Sequence, residues 1–322
     1  MEIFNNNKTY NFMSKRNFFV SISLFFIISS FILIFTKGFN WGIDFKGGTI
    51  VQVKFEKTAP LSDIRKILSK KFDSVSVTNF GSDKEIIIRF PVKTENSVTK
   101  DMGDTIAQLL KPIGKFEVRR VDIVGAKVGN ELTEKGIKAL IFAIIGILIY
   151  VAFRFEWSFA VASVIALFHD ITISLGFVSL FNVDVNLDVL AALLTILGYS
   201  LNDTIVVFDR IREEIIESKE RNLASLINNS VSKTLSRTTL TSLTTFFVVL
   251  TLFLFGGDII KPFSFTLLVG VVVGTYSSIF IASPLLIWLG FKVDNFRKNL
   301  AEKEKKRREK ERLRKQYQGG VL

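Results

Sequence analysis

Among its 322 residues the chain has no cysteine and a single histidine, His169. That excludes disulfides and thiolate metal sites, so any exported domain must be held by its own apolar core. No Walker A pattern occurs, which argues against an ATP-driven enzyme. Gly47-Gly48-Thr49 is no phosphate loop, because no P-loop lysine follows; the glycines suit a hinge or packing point where the chain leaves the membrane and enters a strand. After the first apolar run, Thr36-Lys37-Gly38-Phe39 offers no small-residue cleavage pattern, so this run is expected to stay attached as a signal anchor with the N-terminus inside.

What the chain has in quantity is apolar length. Hydrophobic residues make up 48%, phenylalanine numbers 32 and mean hydropathy is +0.37, which reads as a polytopic membrane protein and not a soluble enzyme. Six spans are expected, at 18–36, 136–153, 158–181, 187–208, 239–256 and 264–289. The net charge of +12 gathers at the N-terminus, in the segment 209–237 and in the tail from Lys292, where Lys and Arg act as topology determinants, so no nucleic-acid partner is expected. Both termini are then cytoplasmic, with Arg154 and Glu156 in a tight cytoplasmic turn, while the loops 182–186 and 256–262 lie on the other side. Residues 303–315 read as a solvated, partly helical orientation signal in preference to a contact with ribosomal RNA or anionic headgroups.

Between the first and second spans the pattern changes. Strands are expected at 49–56, 75–80, 85–90 and 116–124, with helices at 61–72 and 98–110. The order β-α-β-β-α-β is that of a ferredoxin-like split unit, and about a hundred residues suit one compact α+β domain. The expected organisation is a cytoplasmic N-terminus at 1–17, a first membrane helix at 18–36, a periplasmic ferredoxin-like domain at 37–134, a five-helix membrane region at 135–290 and a basic cytoplasmic tail at 291–322.

The candidate site lies in the fourth span, where Asp203 interrupts an otherwise apolar run. A carboxylate near the middle of a spanning helix costs about 2.5–3.5 kcal/mol on insertion scales, so it faces a partner, a cavity or an ion path. Hydration at the membrane edge, or a simple hydrogen bond to a neighbouring helix, is the plainer alternative. Small residues Ala191, Thr195, Gly198 and Asn202 form a stripe beside it, expected to point into a bundle. Similar stripes are Ala162, Ala166, Asp170 and Ser174 in the third span and Gly270, Gly274, Ser278 and Ala282 in the last. With the helix ending near residue 208, Asp203 would lie close to the cytoplasmic end, and Arg237 would open the next span from the same side. Burial favours a neutral carboxyl and an approaching guanidinium favours the ionised form, so a moving helix could load and release a proton. One charge crossing about 150 mV supplies about 3.5 kcal/mol. His169 and Asp170 form a second ionisable pair that serves either as relay or as helix lock. Asp209 and Arg210, expected at the helix end, suit interfacial anchors.

Several stretches match a known family: residues 39–49 (FNWGIDFKGGT), 124–132 (VGAKVGNEL), 153–157 (FRFEW), His169-Asp170 and 198–213. Over almost its whole length the chain resembles the SecD/SecF family of bacterial protein-export membrane subunits, within the RND-type superfamily. The resemblance implies an accessory subunit of the bacterial Sec translocase in the inner membrane, using the proton or sodium motive force to promote movement and release of exported polypeptides. It implies an ion pathway through Asp203, in its Asn-Asp-Thr step with Asn202 and Thr204, working with Arg237, and no cofactor beyond the coupling ion, H⁺ or Na⁺. It further implies that six spans are one half of a twelve-span bundle, with SecD as the other half, and with the Sec channel, YajC, the translocating unfolded polypeptide and membrane lipid as further partners. One departure is Ala126, where the family often has proline, which touches only local linker stiffness. Two other classes stay open: an RND-type half-transporter exporting a lipid or small molecule, and a non-transporting scaffold whose buried charges fix helix register.

Overall fold

The computed structural model describes residues 9–72, 75–91 and 102–319. A 3₁₀ turn at Met13–Lys15 leads into α1 (Arg16–Thr36). This helix turns Phe18, Phe25 and Phe35 outward and buries only Ser23 and Ser30, as expected of a span whose apolar surface faces lipid.

The chain then builds an extramembrane domain from β1 (Asn40–Trp41), α2 (Ile43–Lys46), β2 (Gly48–Phe55), α3 (Leu61–Ser69), β3 (Ser76–Phe80), β4 (Ser82–Pro91), α4 (Met102–Leu110) and β5 (Phe116–Val124). Four strands pair antiparallel in the order β3-β4-β2-β5, which is the ferredoxin-like arrangement. Alternation makes the core: Val51, Val53 and Phe55 of β2 and Ile86, Ile88 and Phe90 of β4 point to one face, where Ile64 and Leu68 of α3 and Ile106 and Leu110 of α4 cover them. The expected helix over 61–72 stops at Ser69 in a turn, and the strand expected over 85–90 extends to Ser82–Pro91 because its pairing with β3 and β2 carries past the apolar residues. Of the helix expected at 98–110, residues 98–101 lie outside the described residues and the remainder is α4.

The glycine pair has a definite job. Gly47 (φ 74°) and Gly48 (φ 148°) reverse the chain from α2 into β2, and a Cβ on Gly48 would meet the Phe90 carbonyl oxygen at 2.6 Å. The residues just before them seat the domain on the membrane bundle. β1 pairs parallel with β6 (Asp184–Val185), Arg89 of β4 forms an ion pair with Asp184, and Asp44 accepts a hydrogen bond from the Leu187 N–H at 3.0 Å.

The remaining helices are α5 (Ala126–Arg154), α6 (Trp157–Leu180), α7 (Leu187–Glu217), α8 (Leu223–Phe255), α9 (Lys261–Ser277), a π turn at Ser278–Ala282, α10 (Ser283–Trp288) and α11 (Val293–Gly319). Among the described residues six helical stretches are long and apolar enough to cross a membrane, the last comprising α9, the π turn and α10. α6, α7 and α9 form the buried centre, and α1, α5 and α8 are peripheral. Close approach needs small residues: a Cβ on Gly176 of α6 would meet Ser30 Oγ at 2.0 Å, and one on Gly270 of α9 would meet Ile196 at 2.2 Å.

Two expectations about the fourth and fifth spans are corrected. α7 does not end near residue 208 but continues to Glu217, and α8 begins at Leu223, so the segment 209–237 is a helical hairpin with a short turn and not a loop. Hydropathy marks where apolar character stops, whereas the helices continue into polar sequence because their charges pair: Lys233 with Glu214 at 2.6 Å and Arg210 with Glu213 at 2.6 Å. Asn222 caps α8 by accepting from the Ala224 N–H at 3.0 Å. The tail is fastened to this hairpin, since Phe291, Val293 and Phe296 are buried against the bundle and Arg297 donates to the carbonyls of Ile215, Ser218 and Glu220 near the end of α7.

Candidate ion-coupling site

Asp203 sits mid-helix on α7, 2% exposed, on the face turned to α8 and α9. Its Oδ2 accepts a hydrogen bond from Ser242 Oγ of α8 at 3.2 Å, and Ser242 Oγ accepts from Thr275 Oγ1 of α9 at 2.7 Å. One hydroxyl chain therefore joins three helices at the carboxylate. Arg237 precedes Ser242 by five residues on α8, about 7.5 Å along the axis. It is exposed, attracts Asp203 through space and makes no ion pair among the described residues. Asn202 is exposed on the outer side of α7 and Thr204 is buried.

A second node lies one turn away. Asp170 of α6 is fully buried; its Oδ1 is 2.8 Å from His169 Nδ1, and its Oδ2 accepts from Ser200 Oγ of α7 at 2.5 Å and Ser277 Oγ of α9 at 2.8 Å. His169 stacks on Tyr276 with ring centroids 6.2 Å apart, and its Nε2 is buried without a hydrogen-bond partner among the described residues. Tyr276 in turn donates to the Phe19 carbonyl of α1 at 2.7 Å. Gly274 permits the contact between α9 and α7, since a Cβ there would meet the Ser200 Cβ at 2.9 Å.

The structure thus brings Asp203 to Ser242 and joins His169 with Asp170, but leaves Arg237 near Asp203 without pairing them. Three expectations about position change. Asp203 is 14 residues from the end of its helix, not about five, because α7 ends at Glu217. Asp209 and Arg210 are likewise not at the helix end; Asp209 pairs with Arg154 of α5 at 3.2 Å. The stripe of Ala191, Thr195, Gly198 and Asn202 does not point into this six-helix bundle but lies exposed on its outside, while Ala192, Ile196, Ser200 and Asp203 take the inner face. The last-span stripe of Gly270, Gly274, Ser278 and Ala282 is buried throughout, although Ser278 and Ala282 fall in the π turn and it is Ser277 that makes the contact to Asp170. Ser200, Ser242, Thr275 and Ser277 were not legible as site residues; hydroxyls inside apolar spans were the available signal, but isolated serines commonly bond their own helix carbonyls.

In chemical terms the site is a buried carboxylate held by one hydroxyl, with a guanidinium that makes no ion pair among the described residues about a turn and a half away along the neighbouring helix. Were the Arg237 guanidinium to reach the carboxylate, a cationic donor would replace a neutral one, the kind of change that alters a carboxylate's hold on a proton or cation.

Comparison with known proteins agrees with this architecture. Residues 105–292 match the family model for the C-terminal region of protein export membrane protein SecD/SecF, and residues 32–59 match the SecD/SecF GG motif. The chain is 48% identical over 324 aligned residues to the protein translocase subunit SecF of Helicobacter pylori J99, covering all of both chains, and 41% identical over 303 residues to that of Escherichia coli O157:H7, covering 92% of this chain and 93% of the other. The crystal structure of SecDF, a translocon-associated membrane protein from Thermus thermophilus, superposes with a TM-score of 0.81 at 35% identity over 89% of this chain; the match spans 39% of that longer chain. With a family model across more than half its length and full-length relatives well above 30% identity, this chain belongs to the SecD/SecF family.

Proposed function

We propose that this chain is a subunit of the bacterial Sec protein translocase, in which ion passage at Asp203 is coupled to movement of exported polypeptide. The observation that carries the reading is the placement of Asp203, buried at the junction of three helices beside a guanidinium that makes no ion pair among the described residues. A charge fixed only to hold helices together would be expected to pair with its nearest cation; here the cation is held in reserve.

The exposed stripe of Ala191, Thr195, Gly198 and Asn202 supports a second membrane half docked on α7, because small and polar residues on an outer helix face suit helix packing better than lipid. SecD is the partner that fits, as the longer SecDF chain spans more than twice this one. In this reading the extramembrane domain is periplasmic and both termini are cytoplasmic in the inner membrane, with the charged α7–α8 hairpin and α11 on the positive side. The coupling ion is H⁺ or Na⁺, and the further partners are the Sec channel, YajC and the unfolded polypeptide.

The test compares precursor translocation into membrane vesicles containing the partner subunit and either the native chain or Asp203→Asn, with and without an ion gradient. Loss of the gradient-dependent part alone, with the complex still assembled, supports the coupling role. An equal response of both proteins makes Asp203 a structural group and favours a scaffold.

A further inference from the structure

On the face of α8 that meets α7, a buried hydroxyl recurs at every fourth residue from Ser242 towards the α7–α8 turn: Thr238, Thr234 and Ser230 follow it. That spacing puts them on one face. Contacts at both ends fix the register of the two helices: Asp203 with Ser242 at 3.2 Å, the Arg210 carbonyl with Ser230 Oγ at 3.3 Å and Glu214 with Lys233 at 2.6 Å. This register sets Thr238 opposite Val207 and Thr234 opposite Ile211, both buried. Between Asp203 and Glu214, about 16 Å along α7, the contact surface therefore has one hydroxyl wall and one apolar wall.

Thr238 differs from its neighbours. A helical threonine commonly returns its hydroxyl to a carbonyl one turn back, and Thr234, Thr245 and Thr251 do so, to Ser230, Thr241 and Phe247 at 3.0, 3.0 and 2.8 Å. Thr238 is 2% exposed, and its Oγ1 is buried with no hydrogen-bond partner among the described residues. A hydroxyl so placed carries its full desolvation cost, and valine would fill the same shape without it, so packing alone does not account for threonine here. The far end of the surface is polar as well. Arg210 Nε is buried without a partner among the described residues, and its Nη2 lies 3.8 Å from Glu214 Oε2.

We propose that the hydroxyl face of α8 lines the route by which a hydrated monovalent cation, hydronium or Na⁺, travels between Asp203 and the Glu214 end of the α7–α8 hairpin, with Thr238 Oγ1 as the first group it meets beyond the Asp203 carboxylate. A free hydroxyl both donates and accepts, so it replaces part of the hydration shell of a passing Na⁺ or holds the water that carries a proton. Its hold is weak enough for the ion to leave again, and Val207 and Ile211 on the opposite wall offer no competing site. Glu214 ends the route as a carboxylate already balanced by Lys233 and Arg210, which attracts a cation without trapping it. The inference rests on the ion-coupling reading above and names the path that serves its carboxylate.

The test uses the full chain with a cysteine-free partner subunit in vesicles loaded with a pH-sensitive or Na⁺-sensitive dye, under an imposed H⁺ or Na⁺ gradient; the dye that responds identifies the ion. Thr238→Val should slow ion entry at least fivefold while the unfolding midpoint in detergent stays level or rises, because the hydroxyl removed had no partner to lose. Thr238→Ser should restore entry to within twofold of native, and Thr251→Val, at an exposed hydroxyl bonded to its own helix, is the control. A second arm does not depend on the valine variant folding: Thr238→Cys, in a chain with no native thiol, should react with a cationic thiol reagent at least fivefold faster than Val249→Cys, which is buried on α8 on the other side of Ser242. Ion entry within twofold of native for an assembled Thr238→Val, or labelling at 238 no faster than at 249, overturns the proposal. Entry that Asp203→Asn abolishes and Thr238→Val leaves intact sinks only this route, whereas native vesicles in which Asp203→Asn changes nothing remove the ion-coupling reading and this inference with it.

Discussion

Ser200 and Asp203, one turn apart on α7, face different neighbours: Ser200 donates to Asp170 of α6 at 2.5 Å, whereas Asp203 accepts from Ser242 of α8 at 3.2 Å. A single turn of helix thus holds together two polar nodes, one locked and one lightly held. Among the described residues three side chains hydrogen-bond the two oxygens of Asp170, and one side chain bonds Asp203.

The locked node is expected to matter for stability first. Ser277→Ala removes one hydroxyl from a fully buried carboxylate and should cost about 1–3 kcal/mol, because the acceptor is left undersatisfied in a place water does not reach. Ser242→Ala, at the longer bond to Asp203, should cost less. Thermal unfolding of the purified protein in detergent ranks the two; a larger loss for Ser242→Ala would contradict the assignment of lock and moving part.

Gly176 allows α1 to lie against α6, since a Cβ at this position would come within 2.0 Å of Ser30 Oγ. Gly176→Val should force the first span away and cost about 1–3 kcal/mol or more through overpacking. Gly146 of α5, where a Cβ meets nothing within 4 Å, is the matched control and should tolerate valine at little cost. Disulfide trapping between cysteines introduced on α1 and α6 measures the separation directly, as the chain has no native thiols to interfere.

How much of this was legible beforehand depends on which forces fix each feature. The spans and the ferredoxin-like order follow from hydropathy and alternation, which act within a segment, and Asp203 and Asp170 stood out because ionisable groups are rare in such surroundings. Hydropathy misplaces the end of α7 and the start of α8 because helix continuation past the apolar edge depends on pairs such as Lys233 with Glu214, which join two different helices. Small residues mark the stripe on α7 as interface-forming, but periodicity gives a face and not its direction, and the inner face goes to the equally helical set containing Ile196 and Ser200. The π turn at Ser278–Ala282, which begins just after Ser277 and its contact to Asp170, has no local composition signal.

The turn between α7 and α8 should loosen in acid. Backbone N–H groups of Asn222 and Arg221 donate to the Glu220 carboxylate, both at 2.8 Å, and hold its pKa below the usual glutamate range. A depressed folded-state value stabilises the ordered turn above the ordinary glutamate pKa, and that contribution is lost as the pH falls through the lower folded value. Glu220→Gln should therefore raise amide exchange at Arg221 and Asn222 at neutral pH, with little further difference between variant and native chain in acid. A constant difference across the whole pH range would show that the carboxylate's charge is not what orders the turn.

Arg237 and Ser242 offer the most direct separation of coupling from packing. Both lie on α8, but Arg237 is exposed and makes no ion pair among the described residues, whereas Ser242 is buried and bonded to Asp203 and Thr275. If α8 exchanges one for the other beside Asp203, Arg237→Gln should leave thermal stability within about 0.5 kcal/mol of native, as for other exposed substitutions. It should nonetheless abolish the gradient-dependent part of precursor translocation, with Arg237→Lys keeping a fraction because the charge remains while the two-pronged geometry is lost. Ser242→Ala should show the reverse pattern, a measurable loss of stability with gradient dependence retained, since the cation needed for the exchange is still present. Translocation into vesicles at matched protein levels, set beside unfolding of the same variants in detergent, gives both quantities; if Arg237→Gln lowered stability and left the gradient response intact, the guanidinium would be a packing group and Asp203 would have to exchange its ion without it.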